Sequence, residues 1–197
     1  QDEESMVSYS GFGDGVTLMT PPLITSTEIT GPIAAKLWVS SSTEDADLFL
    51  IVRAFDSNMK EVVFQGALDP HTPIAQGWLR ASHRKLDPRQ SLAYRPYHTH
   101  DEEQRLEPGH VYEVDIEIWP TCVVLPQGFR LALTIRGKDY EYPGGPSEGL
   151  ETLGKVWHGC SVFVHDDPRD RPASVFGGDV RLLAGPDRQA YLLLPII

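Results

Sequence analysis

From His110 to Pro120 the chain reads His-Val-Tyr-Glu-Val-Asp-Ile-Glu-Ile-Trp-Pro, and its side chains alternate strictly. In an extended backbone Tyr112, Val114, Ile116 and Ile118 point one way, while Glu113, Asp115 and Glu117 point the other. That is a strand with one dry face and one wet face. It needs a second apolar layer to cover the dry face, so the segment constrains the fold to a packed sheet.

The remainder of the chain is built from similar short pieces. Seventeen glycines and sixteen prolines are scattered through 197 residues and interrupt β-rich runs, as turns between many short strands would. Strands are expected at Val16–Met19, Ile33–Ser41, Leu48–Phe55, Glu61–Gln65, Gly77–Arg84, His110–Ile118, Phe129–Arg136, Val156–Val164 and Tyr191–Ile196. In the second of these Ile33, Ala35, Leu37 and Val39 line one face, with Ala34, Lys36, Trp38 and Ser40 opposite. In Phe129–Arg136 the residues Leu131, Leu133 and Ile135 face the core, and Arg130, Thr134 and Arg136 face out. Leu48–Val52 is apolar without alternation, which predicts a strand covered on both faces. No stretch has sustained helical periodicity, and Asp101–Leu106 is expected to form a single helical turn at most. With no repeat and no linker, residues 1–197 are read as one all-β domain of two packed antiparallel sheets, in jelly-roll form.

Composition excludes several classes of function. The net charge of −11 and pI near 5.0 argue against a phosphate-backbone partner, which needs a concentrated basic face. The short run Arg80, His83, Arg84 and Lys85 does not supply one. No apolar run is long enough to span a bilayer, and Gln1-Asp-Glu-Glu4 is not the start of a signal peptide. An opening without Met leads us to expect a fragment or a processed product. Cys122 and Cys160 match neither a close pair nor a metal spacing, so a reducing, cytoplasmic setting is expected.

Candidate chemistry is sparse. Gly145-Pro-Ser-Glu-Gly149 matches the nucleophile-elbow pattern around Ser147. Tyr140-Glu-Tyr-Pro-Gly is no buried strand leading into it, and no helix start follows. His98-Thr-His100 places two imidazoles on one side of an extended segment. A zinc site needs further ligands, and the sequence does not bring His71, His110 or His158 near. Glu44, Asp45 and Asp47 lack the spacing of a calcium loop. Cys160 lies in an apolar run, the setting of an inert core thiol. No catalytic residue, metal or cofactor is therefore assigned. Trp38, Trp78, Trp119 and Trp157 suit either a core or a sugar-stacking platform. Trp78, Arg80 and Arg84 share one face of their expected strand. The two arginines are expected to anchor that face, either to Asp45 and Asp47 or to a neighbouring domain.

Two segments carry a resemblance, Gly77-Trp-Leu-Arg-Ala-Ser-His-Arg84 and Leu106-Glu-Pro-Gly-His-Val-Tyr-Glu-Val-Asp-Ile-Glu-Ile-Trp-Pro120. So do Leu18-Met-Thr-Pro-Pro-Leu23 with Glu28-Ile-Thr-Gly31, Leu37-Trp-Val-Ser-Ser-Ser42, Pro120-Thr-Cys-Val-Val-Leu125 and Leu192-Leu-Leu-Pro-Ile-Ile197. In this order they resemble the C-terminal β-domain of the X-prolyl dipeptidyl-peptidase and cocaine-esterase (CocE/NonD) serine hydrolases. Asp56-Ser-Asn58, Phe129 and Gly137-Lys-Asp139 depart from that family's usual residues. The resemblance implies a galactose-binding-domain-like jelly-roll β-sandwich without catalytic residues. It also implies upstream α/β-hydrolase and cap domains in the same polypeptide, which hold a Ser-Asp-His triad and cleave a peptide, amide or ester. This domain would then stabilise the catalytic domain and help shape its cleft, and self-association of the whole enzyme is compatible with that role. The alternative from a different class is a carbohydrate-binding β-sandwich module.

Overall fold

A computed structural model describes residues 4–145, 157–160 and 164–197. The described strands are β1 (Ser5–Ser10), β2 (Val16–Met19), β3 (Thr27–Ser41), β4 (Asp47–Phe55), β5 (Glu61–Val62) and β6 (Ala75–Arg80). They continue with β7 (Tyr112–Leu125), β8 (Arg130–Arg136), β9 (Asp179–Ala184) and β10 (Tyr191–Leu193). They form two antiparallel sheets, each organised around one central strand. In the first, β7 runs along one edge of β3, while β10 and β9 follow one another along its other edge and β1 lies outside β9. In the second, β8 runs along one edge of β4, β6 and β5 share the other, and β2 lies outside β8.

The two sheets face each other as a β-sandwich. Ile33, Ala35, Leu37 and Val39 of β3 and Val114, Ile116 and Ile118 of β7 meet Leu48, Leu50 and Val52 of β4 and Leu131, Leu133 and Ile135 of β8. Each large aliphatic side chain so buried contributes about 1.5–3 kcal/mol relative to exposure. The alternating faces expected for β3 and β7 are the ones observed. Strand β4 is dry on both sides, as its unbroken apolar run implied. Phe49 and Ile51 point away from the main core into a second cluster with Tyr140, flanked by Trp78 and Tyr142.

That second cluster corrects one expectation. Thr134 and Arg136 do point away from the main core, but they are buried, at 3% and 6% exposure. After β8 the chain folds back across the outer face of this sheet. Alternation states which face a residue occupies and says nothing of what later covers that face.

Other differences concern ends. The strand expected to reach Arg84 stops at Arg80, and Ala81–His83 forms a 3₁₀ turn. Asp101–Leu106 forms no helical turn; a four-residue helix, α1, lies at Ala173–Phe176 instead. Strands β1 and β9 pair with one another and were not expected. Residues 157–160 lie in no strand, while Val156 and residues 161–163 lie outside the described residues. Strand β7 continues past Pro120 because the ladder with β3 shifts between Gly31 and Ile33. Trp119 and Pro120 stand opposite this bulge, where a residue without an N–H costs no ladder bond. Gly77 lets the edge strand β6 lie against β7: a Cβ there would sit 2.3 Å from the Glu117 carbonyl oxygen.

Candidate functional site

Three of the residues singled out by sequence, Asp47, Trp78 and Arg80, come together at the N-terminal end of β4. Asp47 pairs with Arg80 across the β4–β6 ladder, and that register brings the Arg80 fork onto its carboxylate, with Nε at 2.9 Å and a terminal nitrogen at 3.1 Å. Asp47 also accepts from Arg171 Nε at 2.8 Å, and Arg80 donates to Asp170 at 2.9 Å. Two guanidinium groups and two carboxylates therefore neutralise one another in a partly dry setting, the condition under which buried charge is tolerated. The Asp47 carboxylate raises the Arg80 pKa, and Arg80 in turn lowers that of Asp170.

Arg171 is the hub. It is 6% exposed and donates to the His165 carbonyl and the Gly137 carbonyl, both at 2.6 Å. Its plane lies over Phe49 and Phe12 at 4.9 and 5.0 Å. One side chain thus joins β4, the exit of β8 and the 165–171 crossover. Sequence reading missed it because Arg171 and Asp47 are 124 residues apart.

Asp45 and Arg84 do not join this network. Asp45 caps the turn by accepting from the Ala46 and Ser82 N–H groups at 2.8 and 2.9 Å, and burial raises its pKa. Arg84 donates to the Ala81 and Gln104 carbonyls and lies over the Tyr112 ring at 4.4 Å. Trp78 is half-buried beside the network and meets Trp119 edge to face, at 5.2 Å and 76°. Trp157 is buried. A stacking platform needs coplanar rings, and this pair is not coplanar.

The remaining candidates offer little chemistry. Ser147 lies outside the described residues. Cys160 is buried, which pushes its thiol up to about 11. His165 Nδ1 lies 2.9 Å from Asp139, and that carboxylate raises the imidazole pKa. Asp139 also accepts the His165 N–H at 2.6 Å, so the pair clasps the crossover to the β8 exit. His71 stacks on Tyr142 and His110 packs against Tyr112. Neither approaches His98 and His100; the residue that does is His83, whose ring is 5.4 Å from that of His100.

On the opposite side, the sandwich is open between the edge strand β2 and strand β10. Leu18, Met19, Leu131, Leu133, Tyr191 and Leu192 line an apolar cleft of about 370 Å³. Leu18 is 58% exposed and Tyr191 43% exposed. Sequence could not mark this cleft, because its residues come from strands of both sheets.

The chain is similar to known proteins over much of its length. The family described as the X-Pro dipeptidyl-peptidase C-terminal non-catalytic domain matches residues 7–167. A CocE/NonD family hydrolase from Staphylococcus aureus superposes with a TM-score of 0.81 at 25% identity, covering 99% of this chain and 33% of that one. An aminopeptidase from the marine sediment archaeon Thaumarchaeota archaeon shares the fold, with a TM-score of 0.57 at 15% identity, covering 93% of this chain and 26% of that one. A Mycobacterium bovis protein carrying the provisional name serine esterase is 26% identical over 129 residues, which is 63% of this chain and 19% of the relative. The chain thus spans a fifth to a third of the length of these relatives.

Proposed function

The chain belongs to the family of X-Pro dipeptidyl-peptidase C-terminal non-catalytic domains, and from that premise we propose that it is the accessory domain of a serine hydrolase. In this reading it packs against upstream α/β-hydrolase and cap domains of the same polypeptide, stabilises them and forms part of the cleft wall. The parent cleaves a peptide, amide or ester by acyl transfer to water, with every reacting residue upstream.

The observation that carries the reading is the open apolar cleft between β2 and β10. Contiguous exposed apolar surface of this kind marks an interaction site, and the occupant we assign to it is the part of the longer polypeptide that this chain does not span. The charge network on the other side is self-satisfied and needs no partner to neutralise it.

The test is Leu18→Asp combined with Tyr191→Asp in the full-length polypeptide. Both positions are already exposed, so the melting temperature of the 197-residue chain alone should change little. The melting temperature of the full-length hydrolase should fall by about 1–2 °C, the effect of losing about 1–2 kcal/mol in a polypeptide roughly three times the length of this chain. An unchanged full-length protein would remove the cleft from the docking surface.

A further inference from the structure

Where the chain returns across the outer face of β4 and β8, a cavity of about 570 Å³ remains between that face and the residues from Tyr140 to Gly145. Thr17, Arg53, Thr134 and Arg136 line it from the sheet side. Thr17 stands opposite Thr134 in the β2–β8 ladder, while its neighbour Leu18 lines the apolar cleft. Successive side chains of a strand point to opposite faces, so the two spaces lie on opposite sides of the sheet.

The two arginines of this cavity differ in how well their donors are met. A guanidinium carries five N–H groups and accepts none. Arg53 gives Nε and one terminal nitrogen to the two oxygens of Glu61, at 2.7 and 2.6 Å, and the other terminal nitrogen to the Thr134 hydroxyl at 3.2 Å. Arg136, only 6% exposed, makes one side-chain hydrogen bond among the described residues, from Nη2 to Asp14 at 2.6 Å. That carboxylate is 84% exposed and is shared with Lys138 at 3.1 Å. Nε of Arg136 is enclosed without an acceptor. Nη1 has no acceptor among the described residues either, yet it is not enclosed, so it opens to the cavity. Burial lowers the Arg136 pKa, and the neighbouring charge of Arg53 adds to that, against Asp14 and Glu141. Buried charges ordinarily have their partners in place; this one lacks most of them.

We propose that Arg136 is the recognition residue of a binding site for a small organic monocarboxylate. The carboxylate accepts from Nη1 and from the second hydrogen of Nη2, the paired geometry that guanidinium and carboxylate share. The Thr17 and Thr134 hydroxyls lie 2.8 Å apart; one of their two protons joins them, and the other is left to donate into the cavity. One under-paired guanidinium balances one negative charge. Asp14 and Glu141 also line the cavity and repel a second, which sets a monocarboxylate ahead of a phosphate. Tyr142 and Pro143 give its body an apolar wall.

Sodium benzoate titrated into the nitrogen-15-labelled 197-residue chain at about pH 7.5, where carboxylate and guanidinium are both charged, and at constant ionic strength, should shift the Thr17 and Thr134 amide resonances. Saturation is expected with a Kd of about 1–10 mM, and sodium phosphate should bind at least about tenfold more weakly. Arg136→Met should abolish the response while keeping the melting temperature in chloride buffer, because replacing an under-paired buried charge by an apolar side chain costs little. Asp14→Asn, at an exposed position, should tighten benzoate binding severalfold by removing a competing acceptor; that arm decides the matter if Arg136→Met does not fold. No saturable shift by about 50 mM benzoate, an equal response in Arg136→Met, tighter binding of phosphate, or an Asp14→Asn chain that binds no more tightly would each overturn the proposal. So would binding seen in Asp14→Asn alone, since Asp14 would then be the anion that Arg136 serves.

Discussion

At the scale of single residues, the determining unit is a carboxylate shared by two arginines. Asp47 is 8% exposed and Arg171 6%, so removing Arg171 strips a buried carboxylate of one partner and leaves the Gly137 carbonyl without its donor. Arg171→Met should destabilise the chain by about 3 kcal/mol, the lower end for breaking a buried pair because Arg80 remains; urea denaturation measures it. His165 acts differently because Asp139 raises its pKa, while Arg171 opposes and Asp47 reinforces that shift. The clasp therefore stabilises fully below the ordinary imidazole value of about 6.5 and is lost as pH rises through the higher folded value. The melting temperature of the unsubstituted chain should exceed that of His165→Gln by more at about pH 5.5 than at about pH 8.5. An equal difference at both pH values would show that the imidazolium plays no part. The Asp47–Arg80 contact was one of two arrangements left open by the sequence, whereas Asp170 and Arg171 were not legible at all. Ion pairs across 90 and 124 residues leave no periodic trace, because they depend on where the returning crossover is laid down.

At the scale of elements, β3 and β7 were legible because one face is dry and the other wetter, so that burial imposes a two-residue period on the sequence. β9 alternates too, with Val180 and Leu182 in the core, but only over a few residues, and it was missed; β1 escaped notice for the converse reason. Ser5–Ser10 is almost wholly exposed, so no core imposes a pattern on it, and it is a strand because β9 offers it a hydrogen-bonding edge. The stop at Arg80 is similarly tertiary: the buried Asp45 carboxylate captures the Ser82 N–H and turns the chain where propensity alone would extend it. Gly77 is where element packing is least forgiving. The atoms that a Cβ would meet include the Glu117 carbonyl oxygen at 2.3 Å and Ile118 Cα at 2.9 Å, and backbone cannot swing aside like a long side chain. Gly77→Ala should cost about 1–3 kcal/mol by overpacking, read as a lower denaturant midpoint at unchanged slope. A variant of full stability would mean that β6 and β7 separate readily.

At the scale of the whole molecule, the chain belongs to a family of domains described as non-catalytic. The 197-residue chain should therefore remain unlabelled by a fluorophosphonate serine probe; labelling at Ser147 would reverse that reading. Sequence by itself determined the all-β class, the two packed layers and which faces of β3, β4 and β7 are dry, because hydrophobic burial acts on the side chains of each strand and is written locally. Only the tertiary structure decided what covers the outer face of β4 and β8, which arginines share Asp47, and where the sandwich stays open. Each of those depends on segments far apart in the chain arriving at one place, and a distance closed through space has no counterpart in the spacing of residues along it.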